Sequence, residues 1–104
     1  MPLNKVLGNE LLDFYGDLLT AKQQDILNLY YREDLSLAEI GEDTGVSRSA
    51  VGDLLQRSEK LLTEYEEKLH LVKLYHKRMS VYQKYEKLSD EHIKKMIEEL
   101  NNLE

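Results

Sequence analysis

The chain lacks several residue types, and each absence excludes a class of protein. Its 104 residues contain no cysteine, which excludes both a disulfide framework and a thiolate metal site. A single proline and five glycines leave long stretches without helix breakers, so the composition favours one all-α domain with an appendage. No apolar run approaches the roughly 20 residues of a membrane-spanning helix. We therefore expect no export signal, no membrane insertion and a cytoplasmic location.

An excess of positive charge is also absent, since the net charge is −6. Nucleic-acid-binding domains are usually basic. The charge is unevenly spread, however: residues 1–67 hold 14 acids and 6 bases, residues 68–87 hold six bases and one acid, and residues 88–104 hold five acids and two bases. We divide the chain accordingly into a head, residues 1–67, and a helical extension, residues 68–104. The extension comprises a basic segment, 68–87, and a predicted terminal helix, 89–103.

The stretch over residues 36–57 is predicted to fold as a helix-turn-helix, around which the head is organised. Ser36 and Glu39 have the capping-box spacing that begins a helix. Gly45 can adopt the left-handed conformation that ends it, and Ser47 can cap the next helix. The apolar face of that second helix is Val51, Leu54 and Leu55. The alternative is an ordinary bend between two packed helices.

Two further helices are predicted before this motif. Apolar residues at helical spacing indicate an amphipathic helix from Asn9 to Leu19, with residues 1–8 frayed or loosely docked. Thr20 and Gln23 have a second capping-box spacing, and a helix should follow to about Arg32. Its predicted buried residues are Ile26, Leu27, Tyr30 and Tyr31.

The fourth helix has no visible end in the sequence. No proline or glycine follows Gly52, and the apolar spacing alternates between three and four, which is typical of a coiled-coil seam. A long helix continuing to about residue 86 is the first prediction, and a break near Leu69 and His70 is the alternative. The part of the seam expected to support a homodimer or a docked tail is Val72, Tyr75, Met79 and Tyr82. Ser89 is predicted to cap the last helix, whose apolar stripe is Ile93, Met96, Ile97, Leu100 and Leu103.

Two surfaces are candidates for nucleic acid. The second helix of the motif should present Arg48, Ser49, Gln56 and Arg57, and arginine and glutamine side chains are suited to base edges. Residues 36–62 nevertheless contain five acids against three bases, which opposes binding to phosphates. In the basic segment, cations interleaved with tyrosines suit RNA phosphates and unstacked bases. The candidates there are Lys73, Lys77, Arg78 and Lys84, although a solvated helix face or a packed seam has the same pattern.

Catalytic and metal-binding patterns are lacking. The three histidines have no carboxylate or second histidine at metal-ligand spacing on one face, and no glycine-rich phosphate loop occurs. The paired acids Glu66 and Glu67 are interpreted as solvated. We expect no enzyme, no cofactor and no bound metal.

The stretch from Leu11 to Leu71 resembles the YlxM-like family of small bacterial proteins. The matching segments are L-L-D-F-Y-G (11–16), L-L-T-A-K-Q (18–23), L-Y-Y (29–31), E-D-L-S-L-A-E-I (33–40), V-S-R-S-A-V (46–51), R-S-E-K-L-L (57–62) and Y-E-E-K-L-H-L (65–71). Gly52 departs from the family's pattern, where a larger side chain is expected. The resemblance implies a helix-turn-helix similar to region 4 of sigma factors, on an all-α chain with a long fourth helix and a C-terminal helix.

The same resemblance implies a function. Members are typically encoded beside the GTPase of the signal recognition particle and are regarded as accessory components of its protein-targeting pathway. We therefore expect a regulatory component that contacts the particle's RNA, its GTPase or both. The alternative is a transcription regulator that binds duplex DNA.

Overall fold

The computed structural model describes residues 3–88 and 90–103, and every regular element in those residues is helical. The helices are α1 (Lys5–Tyr15), α2 (Ala21–Leu27), α3 (Leu37–Thr44), α4 (Arg48–Leu69), α5 (Leu71–Glu86) and α6 (Glu91–Asn102). A 3₁₀ turn, Gly16–Leu18, follows α1, and a π-helical turn, Asn28–Arg32, follows α2. The all-α prediction is confirmed. None of these helices is both long and apolar enough to cross a membrane.

The chain separates into two compact units, Met1–Val72 and Lys73–Glu104. The first unit holds α1 to α4 and the first two residues of α5. Its core is built from one face of each of its helices, and the buried apolar residues are Leu11, Leu12, Tyr15, Leu19, Ile26, Leu27, Tyr31, Ile40, Val51, Leu55, Leu62 and Val72. Val72 is thus covered within its own unit, which removes it from the predicted dimer seam.

The N-terminal segment is more ordered than predicted. The side chain of Asn4 accepts a hydrogen bond from the backbone N–H of Leu7 and so begins α1 four residues before the predicted start. Gly8 is buried against the ring of Tyr31, so closely that a Cβ at Gly8 would lie 2.1 Å from a ring carbon. The Asn9 side-chain amide donates to the carbonyl oxygen of Tyr31 at 3.1 Å. The expectation of a loosely docked segment is therefore wrong from residue 4 onwards.

Both predicted capping boxes are present. The Thr20 hydroxyl accepts from the N–H of Gln23, and the Gln23 side chain accepts from the N–H of Thr20. The helix does run to Arg32, but its last turn is π-helical, with the N–H of Glu33 donating to Asn28 five residues earlier. Of the two tyrosines predicted to be buried, both inside this turn, Tyr31 is buried and Tyr30 is half-buried.

Ser58, which interrupts the predicted seam of α4, is fully buried. Its hydroxyl donates to the backbone carbonyl of Leu54 at 2.8 Å, so a small polar side chain is accommodated in the core with its hydrogen bond made. The neighbouring Glu59 is also buried, and its carboxylate accepts a short hydrogen bond from the hydroxyl of Tyr31.

A break at His70 ends α4, so the prediction of one continuous helix is wrong and the alternative is confirmed. His70 has a φ of 56°, and its N–H donates to the carbonyl oxygen of Glu66. The hydroxyl of Tyr15 donates to Glu66 Oε1 at 2.6 Å and accepts from the N–H of Leu71 at 3.0 Å. The same carboxylate oxygen accepts from the N–H of Val72 at 3.0 Å. The first N–H groups of a helix need acceptors from outside the helix, and these two side chains supply them.

The cap of α6 differs from the one predicted. Asp90 accepts from the N–H groups of His92 and Ile93, whereas Ser89 lies outside the described residues. Ile97 is buried, but Met96 and Leu103 are 54% and 82% exposed, so the apolar stripe of this helix is only partly covered.

Replacing Tyr15 with phenylalanine tests the contacts that begin α5. The Tyr15→Phe variant should lose about 2 kcal/mol of unfolding free energy, because it removes a hydrogen bond to a carboxylate and leaves the N–H of Leu71 without that acceptor. Urea denaturation followed by circular dichroism measures the loss. Tyr85→Phe, at an exposed tyrosine of α5, should change stability by less than about 0.5 kcal/mol. Equal effects of the two substitutions would contradict this account.

Alkaline pH should destabilise the fold through two tyrosines. Burial, and then the hydrogen bonds to Glu66 and Glu59, raise the pKa values of Tyr15 and Tyr31 above the ordinary value. The unfolded chain therefore releases these protons first, so the unfolding free energy should be constant between about pH 7 and 9 and fall as the pH rises through about 10. Urea denaturation across this range measures the decline. The decline should be smaller in Tyr31→Phe than in Tyr85→Phe, and identical declines would exclude this origin.

Candidate nucleic-acid interface

The turn between α3 and α4 has the geometry of a helix-turn-helix. Gly45 has a φ of 76°, and its N–H and that of Val46 both donate to the carbonyl oxygen of Gly41, at 2.9 and 3.2 Å. A Cβ at Gly41 would lie 2.7 Å from the carbonyl oxygen of Val46, so this close approach requires glycine. Ser47 caps α4 by accepting from the N–H of Ala50. The predicted cap, turn and second cap are all confirmed.

The buried side of α4 holds the motif against the rest of the first unit. Val51 is fully buried, Leu55 is nearly so, and Leu54 and Val46 are half-buried. Ile40 of α3 is fully buried in the same core. The opposite side of α4 is therefore presented outward by packing.

The predicted contact residues of α4 are all exposed, but they do not form one face. Ser49 and Gln56 are seven residues apart and project within about 20° of each other. Arg48 and Arg57 are nine residues apart, about two and a half turns, and therefore project to opposite sides. Asp53, also exposed, lies between the directions of Gln56 and Arg57.

Acidic side chains are exposed on α3, the helix that precedes this surface. Glu42 and Asp43 are exposed near the end of α3, next to the turn. Glu39, also exposed, is a third carboxylate of this helix, and hydrogen bonds from Ser36 lower its pKa. The outward side of the motif thus combines two base-reading residue types with carboxylates that repel phosphate.

The basic residues of α5 form a more uniform surface in the second unit. Lys73, Lys77 and Lys84 are exposed and project within about 40° of one another. Arg78 projects about 100° from Lys77, and its guanidinium carbon is 6.0 Å from the centroid of the Tyr75 ring. The ammonium of Lys84 is 5.5 Å from the centroid of the Tyr85 ring. Lys87, the last residue of the basic segment, lies beyond the end of α5.

Two functional features were missed from the sequence. Glu66 was interpreted as solvated, but it accepts hydrogen bonds from Tyr15 and Val72 at the junction that separates the two candidate surfaces. Tyr15 was assigned only an apolar role. Nothing near either residue in the chain indicates the pairing, because they lie 51 positions apart.

Among the described residues, no group of three or more histidines or carboxylates is arranged to hold a metal ion.

The turn geometry, the two caps and the outward helix face together define a helix-turn-helix protein. Comparison with known proteins gives the family. The model of the UPF0122 family, described as "Putative helix-turn-helix protein, YlxM / p13 like", matches residues 4–103. The chain belongs to this family.

Individual relatives match over most of the chain. A UPF0122 protein of Oceanobacillus iheyensis is 43% identical over 97 residues, which cover 92% of each chain. The UPF0122 protein YlxM of Bacillus subtilis is 44% identical over 101 residues, again 92% of each chain. A UPF0122 protein of Clostridium kluyveri is 58% identical over 62 residues, which cover 60% of this chain and 56% of the relative.

Two glycines of the motif should respond oppositely to alanine. Gly45→Ala should cost about 1–2 kcal/mol of unfolding free energy, because its backbone is left-handed. Gly52→Ala should gain about 0.5–1 kcal/mol, because Gly52 lies inside α4 and a Cβ there would meet only a methyl group of Leu37 at 3.7 Å. Thermal and urea denaturation measure both changes. A loss of stability in Gly52→Ala would show that this position needs glycine for its packing.

Proposed function

We propose that this protein is a non-enzymatic regulatory component of the signal recognition particle pathway, and that it attaches to the particle's RNA through α5. Its membership of the YlxM-like family supports a role in this pathway, because such proteins are typically encoded beside the particle's GTPase. Under this proposal the protein acts in the cytoplasm, where nascent chains are targeted.

The observation that carries the proposal is the common direction of Lys73, Lys77 and Lys84 on α5. Three exposed ammonium groups on one helix face can follow a phosphate backbone, and phosphate neutralisation supplies much of the affinity for nucleic acid. Tyr85, 42% exposed beside Lys84, offers a ring on which an unpaired base could stack.

The head has a separate role in this proposal. Arg48, Gln56 and Arg57 are exposed, but the carboxylates around them weaken any contact with phosphate. We assign these residues to contact with a protein of the pathway, its GTPase being the first candidate. A helix-turn-helix similar to sigma region 4 would then serve as a protein-binding module, since a fold does not determine its ligand.

Duplex DNA is the second candidate ligand, and the geometry of the motif favours it. The turn is closed as in DNA-reading helix-turn-helix proteins, and Arg48, Ser49, Gln56 and Arg57 are all exposed on its second helix. In that case the protein would be a transcription regulator, and the affinity would depend on the two arginines.

One titration series separates these functions. Fluorescence anisotropy should measure binding to the particle's RNA, to duplex DNA and to the GTPase, each at low and at physiological salt. The double variant Lys73→Ala with Lys77→Ala should weaken RNA binding by roughly tenfold and reduce its salt slope by about 1–2. Arg48→Ala should leave RNA binding unchanged.

A double variant with the same change of charge controls for net charge. Lys22→Ala with Lys95→Ala removes two exposed lysines from other helices and should leave RNA affinity nearly unchanged. Salt-dependent binding of duplex DNA that is lost in Arg48→Ala and Arg57→Ala would overturn the proposal in favour of a transcription regulator. Binding of the GTPase without binding of either nucleic acid would overturn the proposed RNA attachment and indicate a protein-only adaptor.

A further inference from the structure

A row of apolar side chains lies exposed on α5 and just beyond its end. Leu74, Val81, Tyr85 and Leu88 are 46%, 52%, 42% and 60% exposed. Such residues are normal singly, but contiguous exposed apolar surface marks a site of interaction. The buried and half-buried residues of α5, Val72, Tyr75, Met79 and Tyr82, form a neighbouring row whose mean direction is about 120° away. The exposed row is therefore additional to the packing of α5 within the chain.

This row has the spacing of a helix-pairing seam. With Arg78 included, the members within α5 are separated by four, three and four residues, which is the heptad pattern of positions a and d, and Leu88 follows beyond the helix end. We call this set, residues 74, 78, 81, 85 and 88, the outer row. Leu74, Arg78 and Val81 line a shallow groove of about 450 Å³ together with Lys77 and Tyr82. A second helix could lay its apolar face along this groove.

The charges beside the outer row are of one sign. In the heptad defined by the row, Lys77 and Lys84 both occupy position g, where ion pairs between helices determine partner choice and orientation. The opposite edge, position e, holds Tyr75 and Tyr82. A complementary helix would therefore carry carboxylates at the positions that meet the two lysines.

Two copies of this chain paired through α5 do not meet that requirement. In an antiparallel pair, Lys77 of one chain would face Lys84 of the other, and in a parallel pair Arg78 would face Arg78. Like charges at such positions disfavour association. RNA phosphates would satisfy the lysines but would leave Leu74 and Val81 exposed.

We propose that the outer row of α5 binds an acidic amphipathic helix of a partner protein. The bound helix carries aliphatic residues along the groove and glutamate or aspartate against Lys77 and Lys84. The inference uses lysines of the helix to which the proposed function attaches RNA, and it goes beyond that function by assigning this helix a protein partner of stated chemistry.

Designed peptides test this directly. The probe is a fluorescein-labelled helix of about three heptads, with leucine at a and d and glutamate at e and g. Two matched peptides replace either the leucines by alanine or the glutamates by lysine. Anisotropy with the full chain should show binding of the leucine–glutamate peptide and at least about tenfold weaker binding of both controls.

Variants of the protein then assign the binding to the outer row. Leu74→Ser with Val81→Ser should weaken binding of the leucine–glutamate peptide by about tenfold or more, with unchanged circular dichroism because both side chains are exposed. Lys77→Glu with Lys84→Glu should transfer the preference to the leucine–lysine peptide. Lys22→Glu with Lys95→Glu changes the net charge equally at other exposed lysines and should leave the preference as it is.

The outcomes also separate this inference from the proposed function. Equal binding of the alanine–glutamate peptide would overturn the inference, since charge alone would then explain it. RNA binding without binding of the leucine–glutamate peptide would overturn the inference and leave the proposed function standing. Peptide binding without RNA binding would support the inference while the proposed RNA attachment fails. Self-association that is lost in Leu74→Ser with Val81→Ser would overturn the inference, because the outer row would then bind a second copy of the chain. Self-association that persists in this variant would use another surface and would leave the inference intact.

Discussion

The break between α4 and α5 depends on acceptors for the first N–H groups of α5. A helix start within a core must hydrogen-bond to something, or it costs free energy of the order of 1–3 kcal/mol per group. Tyr15 and Glu66 accept these hydrogen bonds, and Tyr15 also belongs to the core of the first unit. The two side chains therefore stabilise the break at His70. The break divides one run of helix-forming sequence into two helices, α4 of the helix-turn-helix and the basic α5.

Features determined by neighbouring residues were predicted well from the sequence. The caps at Ser36 and Thr20 and the left-handed turn at Gly45 depend on residues at most five positions away, and all three are present. The break at His70 was only an alternative, because the apolar spacing continues through it without proline or glycine. Its stabilising partner, Tyr15, is 51 positions from Glu66, and single-sequence periodicity carries no information at that distance.

The candidate surfaces were predictable to different degrees. Exposure of Ser49 and Gln56 follows from helical periodicity once Val51 and Leu55 are assigned to the core. Periodicity could not choose between the two apolar rows of α5, because both have spacings of three and four. Only packing shows that Val72 is covered while Leu74 and Val81 are exposed. Periodicity also could not show whether a polar residue in an apolar seam is buried or exposed. Ser58 is fully buried, and its hydroxyl donates to the carbonyl oxygen of Leu54.

The distribution of charge favours different kinds of ligand for the two units. Affinity for nucleic acid comes largely from cations that displace counterions, and residues 36–62 carry five acids against three bases. The motif thus retains the shape of a DNA reader while its surroundings oppose phosphate. On α5 the lysines lie beside exposed leucine and valine, a combination that suits a partner with both carboxylates and apolar side chains better than it suits a duplex. Under the proposed function, loss of phosphate binding by α5 therefore need not disturb contacts made by the helix-turn-helix, because separate helices carry the two sets of side chains.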